Sequence, residues 1–444
     1  MSSVNHSGVN TSSVSDPARW NWWPWPGYLL LFGMLFVPTT YKEIKVVLIA
    51  LVLFLIIAQA LSQRKLALHR TILWWTFFMA IAGLVFLIIG MVNGAPGSPR
   101  MGTVYVLDPL IYMIFVAGVA KLKVIDGVFK VLVFATLAIG LYTLSYIFNA
   151  YGLLPDALYI ELDLDAAIGF YEGTVEYWLN SMSSLLFLIP FVFAALLTWP
   201  KDSSMPVKRL WLWLALVFSV AIVLLSGRRA LLLVTVLVPV IVLMFRAYQT
   251  PEHKAINRKM LRRGLLASLL VSFGAYVYLQ FTFGLDIHAL MDFFLLGFDP
   301  SSSWDESAYV RQEQFFALLE EWSKRPFFGH GHGAAAWGSI RSFDQPWAYE
   351  LSYVALLFHT GIVGFAIYAA AVIWIYRMGL RIIRSGDRIG LYMVTALVGT
   401  TCFLIANATN PYLEKFDYIW VIFLPVALIN YWLLTGDEKS KVKA

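Results

Sequence analysis

Among the residues of this chain that can do chemistry, a few arginines between apolar stretches say most. Arg228 and Arg229 stand together in Ser226-Gly227-Arg228-Arg229-Ala230, between two long apolar runs. A guanidinium inside a bilayer costs about 2.5–3.5 kcal/mol on insertion scales, so a pair of them there needs a reason. They open a predicted helix, where free backbone N–H groups and the helix dipole already favour an anion. Arginine also grips two phosphate oxygens in a fork. The pair therefore suits a diphosphate; the alternative is side chains reaching up to phospholipid headgroups. Arg311 is a third cation of interest. It lies in the first half of a predicted amphipathic helix that begins at Ser303-Trp304-Asp305-Glu306, a capping-box pattern, and stops at Pro326. Ala308, Phe315, Leu319 and Trp322 fall at helical spacing along it. Basic charge near a helix start works against the dipole, which points to another purpose for Arg311. A solvated pairing with Glu306 or Glu313 is the alternative.

The stretch after Pro326 reads Phe327-Phe328-Gly329-His330-Gly331-His332-Gly333. Glycines at alternate positions permit a tight loop and close approach of backbone to a ligand. Gly331 and His332 are therefore candidate substrate-binding residues. No third ligand supports His330 and His332 as a metal pair, and no metal or other cofactor is expected. Tyr349-Glu350-Leu351-Ser352-Tyr353 then opens a predicted span. On a continuous helix, Tyr353 and Gly361 share the face of Glu350 and His359 points the other way. That sets a carboxylate at the rim of a groove, able to act as a general base toward a hydroxyl. Its alternative is a carboxylate that merely steadies the helix start. Asp163-Leu164-Asp165 has the form of a metal-binding sugar-transfer motif, but its loop also holds Asp156, Glu161, Glu172 and Glu176 and reads as a solvated acidic loop. The lone Cys402 lies in an apolar run, which leaves no disulfide or cysteine metal site.

The elements that must position these groups are membrane helices. The chain of 444 residues is 60% hydrophobic and only 14% charged. Soluble domains carry roughly 25% charged residues, so this chain's solvent is lipid. A span needs about 20 mostly apolar residues, and on that measure about twelve transmembrane helices are predicted. They fall near residues 24–40, 44–62, 72–93, 103–120, 127–149, 179–199, 209–226, 230–246, 264–284, 351–376, 390–408 and 416–435. The expected fold class is all-α, polytopic. Most of the 33 Lys and Arg residues then fall in loops on one side, among them Arg64, Lys121, Arg246, Arg262, Arg381 and Arg388. By the positive-inside rule that side is cytoplasmic, as are both termini. The net charge of +6 is thus a loop marker and implies no nucleic acid. Residues 1–19 are expected to be a disordered cytoplasmic segment without the pattern of a secretory leader, 20–436 a single transmembrane domain, and 437–444 a cytoplasmic tail. Two longer outer segments, about 150–178 and 285–350, are expected to carry the chemistry.

The order of the motifs resembles the O-antigen polymerase and ligase superfamily of membrane glycosyltransferases. The resemblance covers roughly residues 225–364; the first 200 residues add only hydropathy. Ser226-Gly227-Arg228-Arg229-Ala230 is similar to a family element that opens a helix, with the family arginine at Arg229. Arg311, followed by Pro326, Gly329 and Gly331, is similar to an arginine preceding a Pro-x-x-Gly-x-Gly turn. Glu350-Leu351-Ser352-Tyr353-Val354 with Gly361 is similar to the last element, where ligases carry His-Asn in place of Glu350-Leu351. The acidic residue looks more like Wzy-type polymerases. The resemblance implies a GT-C-like fold in a bacterial inner membrane and metal-independent, inverting transfer on the periplasmic face. The implied partners are undecaprenyl-diphosphate-linked glycans and membrane lipid, with a chain-length regulator as a further partner the resemblance admits. Arg229 and Arg311, supported by Arg228, would hold the diphosphate; Glu350 would be the base; Tyr353, Gly331 and His332 would line the substrate. The alternatives are a ligase that moves polymer to a lipid A core and a transporter of lipid-linked oligosaccharides.

Overall fold

The computed structural model describes residues 24–162, 166–171, 174–200, 205–226, 228–249, 306–338, 340 and 342–443, with isolated positions between 262 and 277. The described elements are α1 (Pro24–Phe36), α2 (Lys42–Gln63), α3 (Arg70–Val92), α4 (Ser98–Gly102), a π-helical turn (Thr103–Leu107), α5 (Asp108–Gly118) and α6 (Leu122–Ala150). A hairpin of β1 (Ala167–Tyr171) and β2 (Thr174–Trp178) follows, then α7 (Met182–Thr198), α8 (Arg209–Leu225) and α9 (Arg229–Arg246). The C-terminal part holds α10 (Glu306–Lys324), α11 (Ser352–Ser385), α12 (Arg388–Asn407) and α13 (Phe416–Lys443).

Among the described residues, eight helices are long and apolar enough to cross a membrane, with Ser98–Gly118 counted as one; α1, α7 and α8 are apolar but shorter. The chain is thus a helical, polytopic membrane protein. Each predicted span other than 264–284 overlaps a described helix; 264–284 lies outside the described residues apart from isolated positions. The all-α expectation needs one amendment. The 150–178 segment folds back as an antiparallel hairpin, with Ala167 opposite Trp178 and Tyr171 opposite Thr174.

Burial follows from lipid being the outer solvent. On α2, Ile44, Val47, Leu51, Phe54 and Leu61 are all exposed, which water would oppose and lipid does not. The centre is α7, buried at every position except Ser183, against α12 and α9. Phe129 of α6 stacks on Tyr392 of α12 at 4.4 Å, and Phe187 of α7 meets Trp420 of α13 edge-on. At the start of α12, Arg388 binds Asp126 at 2.7 Å and Tyr392 donates to the same carboxylate oxygen.

One span is broken. At Gly361 the backbone of α11 leaves the helical region, with φ 62° and ψ −172°. The turn after α10 repairs the break. Ile362 and Val363 donate to the carbonyls of Pro326 and Phe327 at 2.9 and 3.1 Å. In return His330 and Gly331 donate to Phe358 and His359 at 3.1 and 2.8 Å. The same turn reaches α3 and α4, where His332 N–H donates to Phe86 and Gly97 N–H to Gly333. This corrects the expectation of a continuous helical face from Glu350 to Gly361. The helix begins only at Ser352 and is interrupted at the glycine. Close approach explains the glycines at both ends of the clamp. Gly361 needs its positive φ and abuts the Phe327 backbone; Gly331, at φ 91°, abuts the backbone of Gly90. Gly361→Ala and Gly331→Ala should each cost about 1–3 kcal/mol from backbone strain alone, with overlap added. A melting temperature lowered by several degrees in detergent is the expected result. Gly338→Ala, where a Cβ meets open space, should melt like the parent.

Candidate functional site

The clamp holds α10 alongside the first turns of α11. A small buried cluster of Leu318, Tyr349, Ala355 and Phe358 lies between them. Trp322 Nε1 donates to the Pro326 carbonyl and fixes the helix end. Two residues one turn apart on α10 then grip residue 350. Arg311 Nε donates to Glu350 Oε2 at 2.8 Å, and Gln314 Oε1 accepts from the Glu350 backbone N–H at 3.0 Å. Glu350 thus precedes the helix as an ion-pair partner, a position that the sequence reading of it as an open rim carboxylate did not include. Arg311 pairs with Glu350.

The second cationic element sits at the start of α9. Arg228 is the residue before the helix and Arg229 its first residue. The hairpin packs on this turn: Tyr177 N–H donates to the Ser226 carbonyl, and Arg228 Nε donates to the Tyr177 carbonyl at 3.4 Å. The two elements meet at Tyr412, in the short helix Tyr412–Glu414 between α12 and α13. Its hydroxyl bonds to the Ser183 side chain and feels the charges of Arg228, Arg311 and Glu350. Burial pushes this phenol up, while Arg228 and Arg311 pull it back.

The loop that carries Tyr412 is tied down at several points. Leu413 N–H donates to Asn407 Oδ1 at 3.0 Å, and Arg100 Nη2 donates to the Glu414 carbonyl at 2.9 Å. Asp417 is buried with Lys45 at 3.1 Å and also accepts from the Thr39 N–H at 2.8 Å. A rigid loop is what a site assembled from several segments requires.

Arg228, Arg311 and Glu350 are therefore brought together, with Tyr412, Gln314 and Ser183 added. Tyr353 uses its hydroxyl on the Leu404 carbonyl of α12, at 2.6 Å, and on the Asn407 side chain. Gly331 and His332 sit elsewhere than a substrate-lining role requires. Gly331 is pressed on Gly90, and His332 is fully buried, stacked on Tyr105 at 3.9 Å with Nε2 on the Tyr368 hydroxyl. Burial pushes the His332 imidazole well below its usual range. Both belong to the clamp, and that expectation is corrected on burial grounds. His330 does not join His332 as a pair of ligands: its Nε2 meets the Glu321 carbonyl at 2.8 Å. His359 is buried on the Ala334 carbonyl. Asp163 and Asp165 lie outside the described residues. Tyr412 carried no distinguishing signal in a chain with 22 tyrosines; only its place beside Pro411, in a short connection between two apolar runs, marks it. No family model matches this sequence, and no curated protein matches it.

The arrangement brings the charges of two arginines from segments remote in sequence to bear on one half-buried tyrosine. Chemically it suits an anion with several oxygens, since guanidinium groups bind such oxygens with charge-assisted hydrogen bonds. The same loop contains a pH-sensitive group. Burial pushes the Glu414 carboxyl up to about 7 from 4.5, against the pull of Arg100 and Lys415. A carboxyl that holds its proton more tightly when folded lends stability fully below its unfolded value and loses it as pH rises through the folded one. The melting temperature should therefore fall between about pH 4.5 and 7, and Glu414→Gln should remove that part of the fall. Equal pH slopes in parent and variant would mean that Glu414 is ionised throughout.

Proposed function

We propose that this chain is a membrane glycosyltransferase of the O-antigen polymerase type. It joins undecaprenyl-diphosphate-linked repeat units on the periplasmic face of a bacterial inner membrane. In this reading the fold is GT-C-like with about twelve spans, and both termini are cytoplasmic. What supports the reading is the Arg311–Glu350 pair, whose arginine acts electrostatically on Tyr412 together with Arg228, from segments remote in sequence. The motif order described above supports it.

The reaction balances without a metal. A hydroxyl of one lipid-linked repeat attacks the anomeric carbon of the donor's reducing-end sugar, with inversion. The new bond is between that oxygen and the anomeric carbon; the bond broken joins the same carbon to the diphosphate. The hydroxyl proton is lost to a base, and undecaprenyl diphosphate leaves with the electron pair. Negative charge grows on the diphosphate oxygens in the transition state, and arginines fixed beforehand lower the barrier. Arg311 and Arg228 supply that charge, and Arg229, at the first position of α9, adds to it beside the free N–H groups of the helix start.

Deletion of the gene in its host tests the reading. Surface polysaccharide should shrink to a single repeat unit per acceptor on gels. Long polymer retained on the lipid carrier, with bare acceptor, would instead mean ligation. In the complemented strain Arg311→Ala should lower the rate about 10²–10³-fold, the usual loss for one oxyanion donor. Arg229→Lys should fail nearly as badly as Arg229→Ala, because lysine keeps charge but loses the fork. Normal polymer from both Arg311→Ala and Arg229→Ala, at parental expression, would contradict the assignment.

A further inference from the structure

We propose that Glu350 is a positioning residue: it holds Arg311 by Nε and thereby presents the Nη1/Nη2 edge of the guanidinium to the diphosphate. This rests on the diphosphate reading of the site. Three observations lead to it. The first is which edge is used. A guanidinium has five N–H donors. In Arg311 the contact to Glu350 Oε2, at 2.8 Å, is made by Nε. Among the described residues, Nη1 and Nη2 make no hydrogen bond. The four terminal N–H groups are the ones with the geometry to bridge two phosphate oxygens.

The second observation is burial. The Glu350 side chain is 10% exposed and that of Arg311 29%. The arginine is the more exposed of the two groups. A base must come within hydrogen-bond reach of the proton that it takes, and Glu350 Oε2 is engaged by Arg311. The third is rigidity. Residue 350 is fixed by Gln314 Oε1 on its N–H, and its carbonyl accepts from Ser352 N–H at 3.0 Å. Gln314 is itself 1% exposed, and its Nε2 has no partner among the described residues. A carboxylate fixed in this way removes rotamer freedom from a long side chain before the ligand arrives, which is the general route to tighter binding by preorganisation.

The test is binding of inorganic pyrophosphate to the purified full-length chain in nanodiscs, by calorimetry, beside transfer kinetics with lipid-linked donor. Glu350→Gln should bind pyrophosphate about tenfold more weakly, within the range of couplings between residues of one network. It should raise the donor KM more than it lowers kcat. Glu350→Asp, with the charge kept one methylene short, should lie between parent and Gln. Arg311→Ala combined with Glu350→Gln should bind no more weakly than Arg311→Ala alone, because the carboxylate acts only through the arginine. Glu320→Gln, in an exposed pair with Lys324, should bind like the parent. Parental pyrophosphate affinity in Glu350→Gln, with kcat lost, would overturn the proposal and make the carboxylate the base. Additive losses in the double variant would also overturn it. If Glu350→Gln fails to fold, parental affinity in Glu350→Asp overturns it instead. A parent protein that binds no pyrophosphate would remove the diphosphate reading itself, and this proposal with it.

Discussion

A membrane helix that breaks must find partners for the backbone groups that it frees, because the hydrocarbon offers none. In α11 the break falls at Gly361, and the partners come from the turn at Pro326–Gly331 through four backbone hydrogen bonds. An unsatisfied buried group costs about 1–3 kcal/mol, so the turn and the break stabilise each other. That exchange sets the position of α10, which has only a small cluster of its own beneath it. It also fixes the distance between Arg311 and residue 350, and so the geometry of the site. The alternating glycines read as a ligand cradle are the inner half of this joint.

The site built on the joint has an electrostatic logic of its own. The arginines of the site are not left to roam. Arg311 is tied to Glu350, and Arg228 is packed under the hairpin. Tyr412 links the two, on a loop anchored by Asn407, Arg100 and the buried Lys45–Asp417 pair. Removing one partner of a buried pair leaves an uncompensated charge and is strongly destabilising. Such pairs therefore act as constraints on where segments lie. Here Arg311–Glu350 fixes α10 to the start of α11, and Lys45–Asp417 fixes the start of α13.

How much of this could be read from the sequence depends on the range of the interactions. Apolar runs are local, so the spans were legible: each predicted span other than 264–284 overlaps a described helix. The helix carrying Arg311 was legible for the same reason: apolar side chains at helical spacing and a stop before Pro326, matched by Glu306–Lys324. The pairing of Arg311 with Glu350 spans 39 residues of sequence, and no periodic pattern encodes it. Projecting Glu350 onto the face of Gly361 failed because a glycine can leave the helical region without any signal in hydropathy. His332 was read as a substrate-binding residue in a glycine-rich stretch and is instead fully buried, since the glycines let the turn sink between helices. Tyr412 entered through tertiary contact alone.

The central claim is that cations on the outer face drive sugar transfer from a lipid diphosphate. Its most direct test is reconstitution of the purified chain with one lipid-diphosphate-linked repeat unit as both donor and acceptor. The account predicts a ladder of lipid-linked chains growing by whole repeats, with undecaprenyl diphosphate released at each step and the ladder unchanged by EDTA. Single repeats left unextended by folded protein, or extension only on addition of a divalent metal, would contradict it.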